Sequence, residues 1–487
     1  MKSSALKVLS ESEIREIHRH GLDLLEHTGI RVNVKKMRHL LADHGCRVDE
    51  SSRIVRFPGD VVEKYMGLAP REFPLCGPDP EKQWQMSPDQ RLWSGLGTAI
   101  RFIDAGNANR RDAVQEDVRK HLVLFDHLPN ITCNQMDIMA LDIPMHTTHV
   151  ELIRAWAHNC TKPTGMGAYG VMATTDMVEM VSMVMGGKDR IRDRHPFNVI
   201  VSIQSPLSTA GIQIEGLMIL AENRFPCIMA PEAMAGTTAP VTLAGLLVQH
   251  NAEIVSHIVM AQVVNPGTPV YYGSVSTIAD MRWGTAALGA VETGLLSVAS
   301  AQLAHFYHVP CRAVAGATDS KLMDIQAGIE REQSMTLAAL GGVNYITCVG
   351  TLESTNLGAH EMTVIDNEII GRVERALRGI AVNDVSLALE TIKHAGPDGN
   401  YLMEPHTQKH FRTEHFMPRV SDREQIEKWE SAGRKTMVDH AAAAMEKILA
   451  EHQPRVMDPK LAAELDRYVE TVSRRTVADF EAAEWEP

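Results

Sequence analysis

From Ile131 onward, short apolar runs recur along the chain at a spacing of roughly 30–45 residues, the length that a strand, a helix and two loops require. They are 131–137 (ITCNQMD), 163–168 (PTGMGA), 197–203 (FNVIVSI), 226–230 (PCIMA), 269–273 (PVYYG), 311–316 (CRAVAG) and 344–349 (NYITCV). Most are apolar at consecutive positions, so both faces of each strand are expected to be buried, the pattern of a parallel sheet. Helix-forming stretches precede and separate them, near 112–128, 146–158, 174–185, 212–223, 241–265, 285–306 and 322–340. The unit is clearest over 311–371: strand, polar loop ATDSK, helix, Gly341–Gly342, strand, then the polar loop GTLESTNLGAH. Each strand that runs into a polar loop and then a helix is a βα unit. An α/β fold follows, with the strands closed into a TIM (β/α)8 barrel. No G-x-G-x-x-G or G-x-x-x-x-G-K-[ST] follows any strand, which weighs against a nucleotide-binding open sheet. Seven strands are evident, and the eighth is sought in 382–389.

The flanks read differently. Ser10 and Glu13 have capping-box spacing for a helix over 10–28. Asn33 is expected to cap a second helix through Leu41. Residues 46–57 alternate as a hairpin, and Pro58 opens a short helix. Residues 92–105 (LWSGLGTAIRFIDA) read as a further hairpin that plugs the barrel or folds over its mouth, with Trp93 either packed within it or serving as a lid aromatic. Beyond Gly396 comes a polar, turn-rich cap, then charged helices near 421–452 and 458–482. The division is therefore an extension over 1–90, a barrel domain over 91–420 and a helical tail over 421–487.

Composition narrows the partners. With 487 residues and 44% apolar content a large core is possible. A net charge of −13 weighs against nucleic acid and anionic membranes, which need a basic surface. The seven cysteines are scattered, without a C-x-x-C pair, as suits reduced thiols in a cytoplasm. The N-terminus lacks an apolar signal core, and no run of about 18 apolar residues could span a bilayer. The charged terminal helices and the chain's size suggest a homo-oligomer.

Candidate chemistry is sparse. His146 and His149 share a helix start, and His406, His410 and His415 cluster late in the chain, but no HExxH or Cys/His set appears. His18 and His20 lie two apart on a helix and point to different faces. Cys311 and Cys348 read as strand filler, and GATDS is not a nucleophile elbow. What remains is a ring of polar residues at the expected C-terminal strand ends: Gln135, Asp137, Gln204, Glu232, Tyr272, Ser274, Thr318, Asp319, Glu353 and His360. Such a mouth offers carboxylates, amides and aromatic faces but no dedicated base, metal or phosphate cradle. It suits a small cationic or zwitterionic ligand.

In GATDSKLMDIQAGIERE (316–332), ALGGVNYITCVGTLES (339–354) and VIDNEIIG (364–371) the chain resembles the trimethylamine methyltransferase family. SESEIREIHRHGLDLLEHTGIRV (10–32) and GPDGNYLMEPHTQKHFR (396–412) extend the resemblance over most of the chain. It implies a TIM barrel whose mouth docks a separate corrinoid protein, with a methyl group passing from a methylated amine to cobalt(I). Members that use trimethylamine carry pyrrolysine. This chain has only the twenty standard residues, so the resemblance points to the branch acting on quaternary amines such as glycine betaine. No tightly bound cofactor or metal is then expected, the corrinoid coming with the partner. Tyr272, Glu232, Asp319 and Glu353 would lie near the cation, and Gln135, Gln204, Thr318 and His360 would orient a substrate carboxylate. A zinc hydrolase on the same barrel and a binding protein without turnover are the alternative readings.

Overall fold

The computed structural model describes residues 5–95, 97–104, 109–135, 138–453 and 456–486. Seven parallel strands form one curved sheet: β1 (Leu92–Gly95), β2 (Thr164–Gly167), β3 (Phe197–Ile203), β4 (Cys227–Pro231), β5 (Val270–Ser274), β6 (Cys311–Val314) and β7 (Tyr345–Val349). Their order is β1-β7-β6-β5-β4-β3-β2, so the first strand pairs in parallel with the last. After them come eight helices: α1 (Gln115–His127), α2 (Thr148–Asn159), α3 (Gly170–Met185), α4 (Gly211–Glu222), α5 (Leu243–Val264), α6 (Val291–Phe306), α7 (Ile325–Gly341) and α8 (His360–Arg378). This is the (β/α)8 barrel, and strands β2 to β7 are those expected from the apolar runs.

The eighth stave is residues 131–135, which fill the gap between β1 and β2 without a regular ladder. Thr132 N donates to Trp93 O at 3.0 Å, and Asn134 N donates to Pro163 O at 2.9 Å. Side chains supply the rest. Trp93 N donates to Thr132 Oγ1 at 2.8 Å, and Asn134 Nδ2 donates to Thr164 Oγ1 at 3.0 Å. The buried Lys162 ammonium donates to the carbonyls of Phe125, Leu128 and Ile131 at 2.6, 2.8 and 2.6 Å, fixing where the stave begins. Burial lowers that ammonium's pKa to about 8.

Two expectations are corrected here. Leu92–Gly95 is a barrel strand and not half of a hairpin. Trp93 points outward to donate Nε1 to Glu374 at 2.9 Å, so it is no lid. Residues 382–389 hold no barrel strand. They include the short exposed helix Asp384–Leu387.

A hairpin does plug the barrel, but it is Phe73–Cys76 paired with Gln83–Met86. Phe73, Leu75 and Met86 pack with the inward side chains Leu92, Cys133, Ile228, Tyr271 and Tyr345. Cys76 N donates to His195 O and Asp79 N to Thr161 O, both ahead of strand starts, so the plug closes the N-terminal end. The N-terminal unit carries the expected capping box at Ser10 and the hairpin Arg47–Asp49 with Ile54–Arg56. Asn33 does not cap the second helix. Its Nδ2 instead donates to Thr209 O at 2.6 Å. Helix Met437–Glu451 lies on α1 and α8, and Pro459–Ser473 on α2 and α3. Among the described residues no helix is long and apolar enough to cross a membrane.

Candidate functional site

The C-terminal strand ends surround an open cup of about 590 Å³. Its floor and walls come from Gly167, Ile200, Ser202, Val275 and Leu288, with Thr98, Met139 and Asn356 above. The absence of a side chain at Gly167 leaves room for the Tyr169 ring, whose tip would stand 2.9 Å from a Cβ there. Glu232, just past β4, is the only charged side chain among the described residues lining the cup. Ser202 Oγ donates to it at 3.4 Å. Gln213 ties two strand ends together, accepting from Ser202 N at 2.9 Å and donating to Ala168 O at 2.8 Å. One layer down, Arg312 is a fully buried cation in register with Gly273 and Tyr345, with Nη1 donating to Ser274 O at 2.9 Å.

The loop after β7 forms one wall and is conformationally strained. Cys348 at the end of β7 and Glu353, Ser354 and Thr355 in the loop have positive φ, at 95°, 48°, 48° and 77°. Non-glycine residues hold such angles only when their surroundings dictate them. Here a buried ion pair does so. Arg331 Nε donates to Asp366 at 2.6 Å and Arg331 Nη2 to Cys348 O at 2.9 Å, while Asp366 accepts from Gly350 N at 2.7 Å. The preceding loop is stitched to it: Ser354 N donates to Thr318 O and Glu353 N to Ser320 O, each at 2.8 Å.

Of the eight residues assigned to the substrate from the sequence, Glu232 alone lines this cup. Tyr272 points outward, is fully buried, and donates its hydroxyl to Asn251 of α5 at 3.0 Å. Its neighbour Tyr271 faces inward but belongs to the plugged end, donating to Asn198 at 3.1 Å. Thr318, Asp319 and Glu353 are loop stitches. The Thr318 hydroxyl donates to Glu330, Asp319 accepts from the Ser354 hydroxyl, and Glu353 pairs with Arg110. Burial raises the Asp319 pKa above its usual value. Gln204 is exposed on the loop before α4, and its carbonyl accepts from Ser208 N at 3.0 Å. Ser274 supplies the carbonyl for Arg312. Asp137 lies outside the described residues.

Gln135 and His360 do meet, but behind the cup, in a chamber of about 10 Å³ shared with His121 and too small for an amine. His360 Nε2 lies 3.2 Å from Asp117 Oδ1, and its ring lies 4.6 Å from Phe102. Burial lowers the His121 pKa to about 3, so it is neutral. Burial acts to raise the Asp117 pKa, but hydrogen bonds from Arg111 and His360 outweigh it and keep the carboxyl well below its usual value.

The histidine motifs have structural surroundings. His149 faces Asp176 at 3.0 Å, and the His406 and His410 rings lie 4.6 Å apart on an exposed helix. Among the described residues no three His, Cys, Asp or Glu side chains are grouped to hold a metal. All seven cysteines are buried. Sequence reasoning missed Tyr169, Ser202, Arg312 and the Arg331–Asp366 pair. Arg312 did leave a signal, being a charge inside an otherwise apolar strand run.

Around the cup, exposed apolar side chains stand on the loops or first helical turns after every stave except β7. Met145 (79% exposed), Val241 (67%), Met281 (71%), Trp283 (78%) and Ile325 (82%) are the most exposed of this ring. A cup that carries a carboxylate, set within an apolar rim, can hold a small cation and seat a protein over it.

Residues 1–477 match the family model described as trimethylamine methyltransferase. The chain is 31% identical over 461 residues to trimethylamine methyltransferase MttB of Desulfitobacterium hafniense (strain DSM 10664 / DCB-2), covering 95% of this chain and 93% of that one. It is 31% identical over 464 residues to the glycine betaine methyltransferase of Desulfitobacterium hafniense (strain Y51), covering 95% and 96%. Among solved structures, the Methanosarcina barkeri monomethylamine methyltransferase aligns over 90% of this chain and 92% of that one, with 13% identity and a TM-score of 0.48.

Proposed function

The chain belongs to the trimethylamine methyltransferase family, and from that premise we propose that it takes a methyl group from a carboxylate-bearing quaternary amine, glycine betaine or a related betaine, and passes it to cobalt(I) of a corrinoid carried by a separate protein. The family makes it a methyltransferase. The observation that carries the finer reading is the cup itself, with Glu232 its one carboxylate among the described residues and the Tyr169 ring inside an apolar rim.

A quaternary ammonium cannot donate a hydrogen bond, so it is held by a carboxylate's field and by aromatic faces. One cation–π contact contributes about 0.5–2 kcal/mol, depending on desolvation. The betaine's carboxylate would face the Thr98 and Asn356 side, away from Glu232. Trimethylamine needs activation before its nitrogen can leave, and no pyrrolysine is present.

The reaction balances without a protein nucleophile. Cobalt(I) supplies two electrons to the methyl carbon, the carbon–nitrogen bond breaks, and nitrogen keeps that pair as a neutral tertiary amine. The products are methylcobalt(III) and dimethylglycine, and no proton moves. The chain's own task is alignment of nitrogen, methyl carbon and metal, with water excluded once the partner covers the mouth. The strained β7 loop and its stitches keep one wall rigid for that task.

The test is to mix the protein with a cobalt(I)-loaded corrinoid protein and a panel of glycine betaine, carnitine and trimethylamine. Methylcobalt(III) absorbance should appear with a betaine. Its absence with every quaternary amine would end this reading.

A further inference from the structure

A second, smaller pocket lies beside the cup. It has a volume of about 270 Å³, and its lining includes Leu152 of α2, Ala173 of α3 and Val477 and Phe480 of the tail. Met139 and Tyr169 line it as well, and both also line the cup, so the two spaces share a wall. A dry cavity of about 150 Å³ takes one benzene ring, so this pocket has room for a ring. Its outer wall is the end of the chain, and buried polar contacts hold that wall in place. Asp176 of α3 accepts from the Tyr468 hydroxyl at 2.8 Å and from Arg475 Nη1 at 2.7 Å, and His149 Nε2 lies 3.0 Å from the same carboxylate. Further on, Trp485 N donates to Glu215 of α4 at 2.5 Å. Between these anchors runs the helix Val477–Ala482, whose Phe480 stands edge-on to the His149 ring with centroids 5.9 Å apart.

The barrel closes through β1 and β7 without this segment, yet the segment is fixed at two points and brings an aromatic ring to the space beside the cup. Walls held from separate elements are preformed, so a ligand that fills them gains affinity without first ordering them. The shared wall narrows what that ligand is. With a trimethylammonium between Glu232 and Tyr169, as in the betaine reading on which this inference rests, a group on the carbon next to nitrogen stands beside the Tyr169 ring. Glycine betaine carries only hydrogens there and leaves the pocket empty. An aromatic side chain at that carbon reaches past the shared wall and packs edge to face against Phe480 and His149.

We propose that this pocket is the subsite for a substrate side chain, and that the preferred substrate class is the N,N,N-trimethyl betaine of an aromatic amino acid. The transfer is the one balanced above, with the N,N-dimethyl amino acid leaving as the neutral amine. Calorimetry with the betaines of phenylalanine and glycine tests it. Burying the phenyl ring should make phenylalanine betaine bind at least about tenfold more tightly than glycine betaine. Val477 is 54% exposed, so Val477→Phe keeps the fold while filling the pocket from outside, and Ala173→Leu fills it from α3. Each variant, with an unchanged circular dichroism spectrum, should bring the preference for phenylalanine betaine down to about that of glycine betaine. Equal binding of the two betaines by the wild type would overturn the subsite and leave the betaine reading standing. A preference that survives both substitutions would also overturn it, by placing the ring elsewhere. A preference that both substitutions abolish, with no methylcobalt(III) formed from either betaine, would support the subsite and end the methyl-transfer reading.

Discussion

The two ends of the barrel are built on opposite principles. The plugged end is closed by apolar packing, with Phe73, Leu75 and Met86 of the hairpin against Tyr271 and Tyr345. The mouth is held open by charge and strain, with the buried Arg331–Asp366 pair fixing a loop whose residues have left-handed angles. Apolar packing tolerates imprecision and resists water. A buried ion pair is costly to desolvate but fixes one arrangement of the groups around it. The contrast teaches where substitutions should cost stability alone and where they should cost function.

The largest effect is expected at the pair. Asp366→Asn leaves Arg331 without its counter-charge and should lose about 3–5 kcal/mol of unfolding free energy in a denaturant titration. It should also weaken betaine binding, since the loop that walls the cup loses its anchor. Phe73→Ala should cost a comparable amount, about 3–5 kcal/mol, by leaving a cavity in the plug. Its affinity for betaine should be that of the wild type. If both variants lose stability and affinity together, the ends are not separate.

Acid is the next lever. Burial holds His195, packed edge-on to Phe73, at a pKa of about 4. The unfolded chain protonates that ring near pH 6.5, while the folded chain keeps it neutral, so stability falls as pH drops from about 6.5 towards 4. The slope is about 1.4 kcal/mol per pH unit for one such ring. Between pH 6.5 and 5, His195→Gln should therefore lose about 2 kcal/mol less stability than the wild type, an estimate from the same constant. An identical pH profile would remove His195 from the account.

Within the cup, Glu232→Gln should leave stability unchanged and weaken betaine roughly thirtyfold by calorimetry, about 2 kcal/mol for a partly solvated charge pair. Tyr169→Leu should have the smallest effect, about 0.5–2 kcal/mol of affinity, if the ring supplies one cation–π contact. A glutamine variant that binds as tightly as the wild type would place the cation elsewhere.

How far the sequence revealed this contrast depended on what each position does. Strands such as Phe197–Ile203 and Tyr345–Val349 were legible because a run buried on both faces has few other readings. That same double burial hid which tyrosine of the pair 271–272 faces inward, since alternation carries no signal when both faces are dry. Leu92–Gly95 is only four residues long and runs into a glycine-rich stretch, so its pairing with β7 was not visible locally. The 131–135 stave is closed by Lys162 and Thr132 side chains, and no strand propensity records that. At the site, Glu232 could be placed at the cup because it directly follows a well-defined strand. Thr318, Asp319 and Glu353 tie loops together outside the cup lining, which the sequence did not show because a stitch between two loops and a ligand contact draw on the same residue types. Arg331 and Asp366 sat inside the very blocks that carry the family resemblance, 35 residues apart and without a motif to join them.

The most direct test of the cup is a crystal structure of this protein with glycine betaine bound. The trimethylammonium group should lie between the Glu232 carboxylate and the Tyr169 ring, with one methyl directed out of the mouth. A betaine found outside the cup, or in the cup with its carboxylate against Glu232, would contradict the account.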